Sequence, residues 1–311
     1  MWTRRRFLQS TGLAVTAHAA LPVSATWAAT SGVDSPLRLV FYTDVHARTE
    51  WDTPVAMEMT ARSINEQSAD LVLAGGDLIT DGYQSSASIV EPRWDAYMSV
   101  LHDQIKPRVE AMLGNHDLVA VQPDDGSKPA DEPRGSFLSR MKLDRTYRSV
   151  DAGGYRIFIL DSIEITSDDL KYRGYINQLQ MDWLEDELSR TDEVTPIILM
   201  SHLPLMTGFF MATKAATEPA PANRVVVNNR EVLNLFAKHN LMLVLQGHLH
   251  VDEMLRWGRT TFITGGAVCA QYWRGPWHGT QEGYGVLTLR KDRVDWQYVD
   301  IGWNAKRPRD Q

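Results

Sequence analysis

The sequence predicts an α/β domain on three observations. From residue 37 onward, strand-like apolar runs alternate with segments of helical spacing. The 311 residues are 43% apolar and 23% charged, with no low-complexity tract and no solenoid or propeller repeat, which suits one large core. Five short polar fragments each close one of the apolar runs, where α/β folds gather functional side chains.

Leu37–Thr43 is continuously apolar and reads as a buried strand ending at Asp44. Pro54–Gln67 spaces Val55, Met59 and Ile64 as a helix does, and Leu71–Ala74 is the next strand, broken by Gly75-Gly76. Val90–Lys106 reads as a helix with Trp94, Met98 and Leu101 on one face, and Val109–Leu113 as a strand ending at Gly114. Residues 118–150 are polar and broken by Pro and Gly, a connection of the length that functional loops have. Arg156–Leu160 is a strand with Asp161 at its tip, Ile176–Ser189 a helix, and Pro196–Met200 a strand running into Ser201-His202. Residues 203–229 are again irregular, around Phe209-Phe210-Met211. Asn229 is placed to cap a helix over Arg230–His239, and Leu241–Leu245 delivers Gly247-His248. From Met254 to Gly302 the pattern alternates as antiparallel strands joined by Gly-rich turns do. No linker interrupts the series, so residues 29–311 read as one domain.

The five fragments are Asp44-Val45-His46, Gly76-Asp77, Gly114-Asn115-His116-Asp117, Ser201-His202 and Gly247-His248-Leu249-His250. Asp44 and His46, two apart on extended chain, share a face, as do His248 and His250. Carboxylate, imidazole and amide donors meeting at one sheet edge could surround two metal ions. Two ions about 3.5–4 Å apart clamp both the attacking and the leaving oxygen of a displacement. Taken singly, each fragment also fits a turn, a cap or a satisfied histidine; the ordered set carries the meaning.

At these residues the chain resembles the calcineurin-like metallophosphoesterases, through D-x-H, G-D, G-N-H-D, a lone His and G-H-x-H in the family's order. The resemblance implies a four-layer αββα sandwich of two mixed sheets flanked by helices, with a dinuclear site at the C-terminal strand edge. It implies that Asp44, His46 and His250 hold one metal, that Asn115, His202 and His248 hold the other, and that Asp77 bridges them. It implies that His116 protonates or hydrogen-bonds the leaving oxygen, work that suits an imidazole. Asp81 and Asp117 are candidates to orient that histidine from behind, and Asp117 equally to cap the segment after it. The mixed nitrogen and oxygen donors suit Mn, Fe, Zn or Co.

Departures narrow the branch. Thr80 stands where purple acid phosphatases carry a tyrosine ligand, and Asp117 where protein Ser/Thr phosphatases carry Glu. The chain is most similar to the single-domain branch with phosphodiesterases, which implies hydrolysis of a small-molecule phosphodiester or phosphomonoester. A nucleotide-diphosphate pyrophosphatase would use the same site, and a scaffold that lost catalysis would keep the same fold. Tyr83 is a candidate pocket residue and Arg224 a candidate phosphate contact. Tyr272, Trp273 and Trp277 either stack on a base or sugar, with Arg274 taking a phosphate, or pack a turn against the core.

Residues 1–28 read as an address. Thr3-Arg4-Arg5-Arg6-Phe7-Leu8-Gln9 is similar to a twin-arginine export signal, followed by a short, mildly apolar stretch and small residues near Ala25 and Ala28. The expectation is a periplasmic or otherwise extracytoplasmic protein, exported already folded by the twin-arginine machinery with its metals in place. Losing that leader's three arginines takes the net charge from −7 to −10, which argues against a nucleic-acid polymer as partner. No later segment has enough uninterrupted apolar residues to span a bilayer. Cys269 is the only cysteine, so no intrachain disulfide forms; it reads as a small buried residue rather than a nucleophile.

Overall fold

The computed structural model describes residues 36–307, so the twin-arginine stretch lies outside the described residues. In chain order, β1 (Leu37–Tyr42), α1 (Thr53–Glu66), β2 (Leu71–Ala74), α2 (Ala87–Ala96) and β3 (Val109–Ala111) come first. Then follow α3 (Gly135–Met141), β4 (Arg148–Ala152), β5 (Tyr155–Leu160), β6 (Ile163–Ile165), β7 (Tyr172–Gly174), α4 (Gln178–Ser189) and β8 (Pro196–Ser201). The series ends with α5 (Phe209–Thr213), α6 (Asn229–Leu235), β9 (Asn240–Gln246), β10 (Glu253–Trp257), β11 (Thr260–Thr264), β12 (Gly283–Arg290) and β13 (Arg293–Asp300).

Two large sheets form, ordered β13-β12-β1-β2-β3 and β10-β11-β9-β8-β5-β4, beside the small hairpin β6-β7. Each is mixed. β1, β2 and β3 run parallel, as do β5, β8, β9 and β11, while β12, β13, β10 and β4 pair antiparallel at the flanks.

The alternation of side chains along a strand explains the layering. On β1, Leu37, Leu39 and Phe41 join one apolar cluster while Val40 and Tyr42 join the other. β8 splits the same way, with Ile198 and Met200 in the first and Ile197 and Leu199 in the second. The first cluster draws on both sheets and fills the space between them. The second includes Ala56, Met57 and Ile64 of α1 and Leu184, Leu188 and Val232 of α4 and α6, so helices cover the outer faces. Each sheet is therefore buried on both sides, which is why the central strands read as unbroken apolar runs. Fully burying a Leu or Phe is worth about 1.5–3 kcal/mol, and the inner cluster alone buries Leu39, Phe41, Leu73 and Leu245 completely or nearly so.

Several elements depart from the sequence reading. The helix expected over Val90–Lys106 starts earlier, behind Ser86, and passes at Tyr97 into a π turn over Tyr97–Leu101. Asn229 is the first residue of α6 rather than its cap, and its side-chain amide donates to Leu205 O instead. Asn177 does cap α4, its Oδ1 accepting from Gln180 N at 3.1 Å. The irregular stretch 118–150 contains α3 and the start of β4. The C-terminal strands divide, with β10-β11 in one sheet and β12-β13 in the other, and a long loop over residues 265–282 crosses between them. Among the described residues, no helix is long and apolar enough to cross a membrane.

Candidate dinuclear metal site and its wall

The parallel strands aim their C-terminal ends at one place. Asp44, Asp77 and Asn115 follow β1, β2 and β3 in one sheet; His202 and His248 follow β8 and β9 in the other. Backbone bonds hold these turns side by side: Asp44 N to Gly76 O at 2.9 Å, His46 N to Asp77 O at 2.9 Å, and Gly247 N to His202 O at 3.0 Å. The Asp44 carboxylate spans the two sheets by accepting from His248 N at 3.0 Å. Two glycines permit the closeness. A Cβ on Gly114 would run into Asp77 N and Oδ1, and one on Gly247 would strike Thr43 Oγ1 and Asp44 Oδ2.

Six of the seven side chains meet, and the seventh, Asn115, is buried in the turn next to Asp77, whose Oδ1 accepts from His116 N. Asp44, His46, Asp77, Asn115, His202, His248 and His250 are all buried, none more than 6% exposed. His250 Nε2 lies 3.2 Å from Asp44 Oδ1 and 3.1 Å from His46 Nε2, and His46 Nε2 lies 3.6 Å from Asp77 Oδ2. Asp77 Oδ2 also lies 3.2 Å from His202 Nε2, and His248 shares that second group. Ligands held about 2.0–2.2 Å from one ion stand roughly 3–3.5 Å apart, so these separations are those of a coordination shell. Asp77 belongs to both groups.

Three imidazoles are fixed by backbone carbonyls. His202 Nδ1 donates to Gly75 O at 2.7 Å, His250 Nδ1 to Ala270 O at 2.6 Å, and His248 Nε2 to Asn223 O at 3.1 Å. Each ring therefore turns its other nitrogen, as a lone pair, toward the cage. Asn115 Oδ1 and His202 Nε2 are buried with no hydrogen-bond partner. Orphaned buried acceptors are costly unless a cation completes them, and this donor set fits such ions. The electrostatics agree. Burial disfavours charge on His202, yet Asp77 beside it raises the imidazole to about 9. Burial likewise opposes charge on His250, and Asp44 nonetheless raises it well above its ordinary value. At His46 and His248 burial, reinforced by His116 beside the first and by His202 and Arg224 beside the second, outweighs the carboxylates and holds both well below theirs.

The backbone is strained where the donors sit. Asp44, His46, Asp77, His248 and His250 all adopt positive φ, between 44° and 71°. Each such residue costs on the order of 1–3 kcal/mol, and clusters of them mark sites where geometry serves function.

His116 stands beside the cage, its ring 4.5 Å from that of His46 and edge-on. Asp81 N donates to His116 Nδ1 at 3.1 Å, so the neutral ring carries its proton on Nε2. The Asp81 carboxylate lies 3.7 Å from the same Nδ1. Asp117 does neither of the things expected of it. It is fully buried and accepts from Leu78 N, Ile79 N and Gly114 N at 2.7, 3.2 and 2.8 Å, buckling the second and third strand-end turns together.

The candidate substrate residues divide. Trp273 is 1% exposed and its indole N–H donates to His46 O at 3.2 Å, so it supports the floor and offers no stacking face. Arg274 points away, donating to Arg307 O. Tyr83 is buried with its hydroxyl on Lys171 O at 2.5 Å, behind Tyr172. Arg224, Tyr272 and Trp277 do line a cavity of ≈ 430 Å³ that includes His248 and His250. Two aromatic residues near the donors or the cavity escaped the sequence reading. Tyr172, on the β6-β7 hairpin, sets its ring 6.4 Å from His248, and burial followed by Asp77 pushes its phenol up. Phe209, read only as part of an irregular stretch, lines the cavity. Neither lies in a periodic segment, so no sequence signal separated them from other loop aromatics. Cys269 is buried, as its composition suggested, with burial raising its thiol.

The sequence profile of the calcineurin-like phosphoesterases matches residues 37–252. The chain belongs to that family. A dimetal phosphatase from Danio rerio superposes on this calcineurin-like chain with a TM-score of 0.62 at 16% identity, over 86% of this chain and 97% of its own. The purple acid phosphatase PPD1 of yellow lupin (Lupinus luteus) superposes with a TM-score of 0.58 at 14% identity, and the 86% of this chain that aligns spans 52% of that one. GAP50, the anchor in the inner membrane complex of Plasmodium, gives 0.55 at 13% identity over 86% and 85%. At these identities the likeness is one of fold. No curated protein matches significantly in sequence.

Proposed function

We propose that this protein is an exported, dinuclear-metal phosphoesterase that hydrolyses small-molecule phosphodiesters or phosphomonoesters with water. The observation that carries the reading is Asp77, whose Oδ2 faces His46 on one side and His202 on the other. Asp44, His46 and His250 would hold one ion, Asn115, His202 and His248 the second, and Asp77 both. Mn, Fe, Zn or Co all suit these donors. When bound, the pair would bring a water toward neutral pKa and neutralise charge building on phosphate oxygens.

The chain's own contribution is position and a hydrogen bond. His116, held in its Nε2–H form by Asp81 N, would donate a hydrogen bond to the departing oxygen as charge builds on it. The presence of His116 beside the donor set supports an enzyme over a silent scaffold of the same fold. Family membership and the fold of the Danio rerio dimetal phosphatase support the same class. The test is to strip the protein, reload it with Mn, Fe, Zn or Co, and assay aryl phosphate monoesters and diesters. Turnover with at least one metal is expected, and none with any metal overturns the reading. Export rests on Arg4-Arg5; replacing both by lysine should leave the precursor inside the cell, and unchanged export would remove that part.

A further inference from the structure

The cavity beside His248 and His250 is built from loops, and its position relative to His116 bears on the substrate. Two imidazoles neighbour that of His46. His116 lies with its ring centroid 4.5 Å from that of His46, and His250 with its own 5.0 Å away. Tyr272 covers these rings, 4.7 Å from His46 and 5.0 Å from His250 but 6.3 Å from His116. The cavity is lined by His248, His250 and Tyr272, and by neither His46 nor His116. It therefore opens on the His250 side of the site, away from His116.

In hydrolysis, water adds its oxygen to phosphorus and gives up a proton to solvent. The bond from phosphorus to the departing oxygen breaks, and that oxygen, hydrogen-bonded by the Nε2–H of His116, takes up a proton from solvent. The departing group thus sits at the His116 end. A monoester has no other organic group, and would leave the cavity unfilled. A diester keeps its second ester bond intact throughout, and that retained arm has the cavity to lie in.

The wall defines the arm. Phe209, Leu249, Tyr272 and Trp277 present apolar and aromatic surface. The Trp277 indole N–H is tied to Leu249 O at 3.1 Å, which fixes the ring's angle. Lys214 is already paired with Glu218 at 2.7 Å, whereas Arg224 is exposed and has no ion-pair partner among the described residues. Arg224 is therefore the cation available to a phosphate oxygen. At ≈ 430 Å³ the cavity falls within the range of about 300–1,000 Å³ usual for small-molecule sites.

We infer that the preferred substrate is a phosphodiester whose retained arm carries a flat, largely apolar ring, seated against Phe209 and Trp277 with Arg224 on the phosphate. The inference rests on the phosphoesterase reading and deepens it. The test uses the metal-loaded protein and three substrates with one leaving group: p-nitrophenyl phosphate, its methyl ester and its phenyl ester. The value of kcat/KM should rise about tenfold or more from methyl to phenyl arm, the scale of an aromatic contact with burial, with the monoester below both. Trp277→Ala and Phe209→Ala should each pull the phenyl-to-methyl ratio toward one. Calorimetric titration with phenylphosphonate and methylphosphonate, which have no ester bond to cleave, should show the same preference and the same loss. Arg224→Gln should weaken both phosphonates alike. Equal rates for the two arms, a monoester faster than both diesters, or a ring preference surviving both aromatic variants overturns the inference and leaves the phosphoesterase reading standing. No turnover of any of the three with any metal removes that reading and the inference together.

Discussion

The floor of the site and the wall of its cavity are made differently. The floor comes from strand ends: its side chains are buried, its backbone is strained, and its imidazoles are tied to carbonyls. The wall comes from residues 203–229 and 265–282, where side chains are half-exposed and Arg224 has no ion-pair partner among the described residues. The difference assigns them different work. Chemistry that does not vary with substrate belongs to the floor, and discrimination among substrates to the wall. Changes in the floor should alter metal content and rate for every substrate, and changes in the wall should alter ratios between substrates.

The largest effect is expected at the one floor residue shared by both groups. Asp77→Ala should release both metals and reduce turnover to background, measured by elemental analysis beside the assay. Full retention of either ion would break the bridging assignment. Asp44→Ala, by contrast, should release one ion preferentially.

His116→Ala should leave metal content intact and slow hydrolysis by roughly 10²–10³-fold, the usual range for a lost donor to a developing oxyanion. The loss should be greatest for alkoxide leaving groups and least for p-nitrophenolate. An equal loss for both would remove the leaving-oxygen role.

Asp117 sharpens the comparison because it lies in the floor without facing the cage. Asp117→Ala strands three buried backbone N–H groups, each worth about 1–3 kcal/mol, so stability should fall by roughly 3 kcal/mol or more. Denaturant unfolding of the metal-free protein measures this, and a wild-type midpoint would contradict the buckle.

Acid should loosen the floor. Burial opposes ionisation of Asp44, but His250 prevails and holds its carboxyl down at about 2. A carboxyl depressed on folding stabilises fully above its ordinary value near about 4, and that stabilisation is lost as the pH falls toward the folded value. The metal-free wild type should therefore lose stability between those limits more steeply than Asp44→Asn does.

The smallest effect separates two tryptophans four positions apart. Trp273→Phe removes one buried hydrogen bond to His46 O and should cost about 1 kcal/mol of stability while leaving the ratio between phenyl and methyl arms as it was. A changed ratio would place Trp273 in the wall after all.

The two tryptophans also mark where the sequence stops being legible. Strands whose two faces are both buried appear as unbroken apolar runs, and a run that stops at Asp44, Gly75 or Gly114 announces a strand end with a functional turn. The floor was readable for that reason. Residues 265–282 have no such period, so nothing in the sequence distinguishes Trp273, turned inward, from Trp277, turned to the cavity. The β6-β7 hairpin went unseen because each strand has three residues, too few for alternation to show, and Tyr172 was missed with it. The assignment of β10-β11 and β12-β13 to different sheets depends on long-range pairing, which local pattern does not encode.

The carbonyls of Asn223 and Ala270 steady His248 and His250, and each stands next to a residue of the cavity, Arg224 or Gln271. The wall can thus exchange side chains freely, but it cannot change length there. Removing one residue at either point would draw away the peptide oxygen and let an imidazole swivel. Efforts to retarget the site should mutate Arg224, Gln271 and Tyr272 and leave insertions and deletions to the distal parts of those loops.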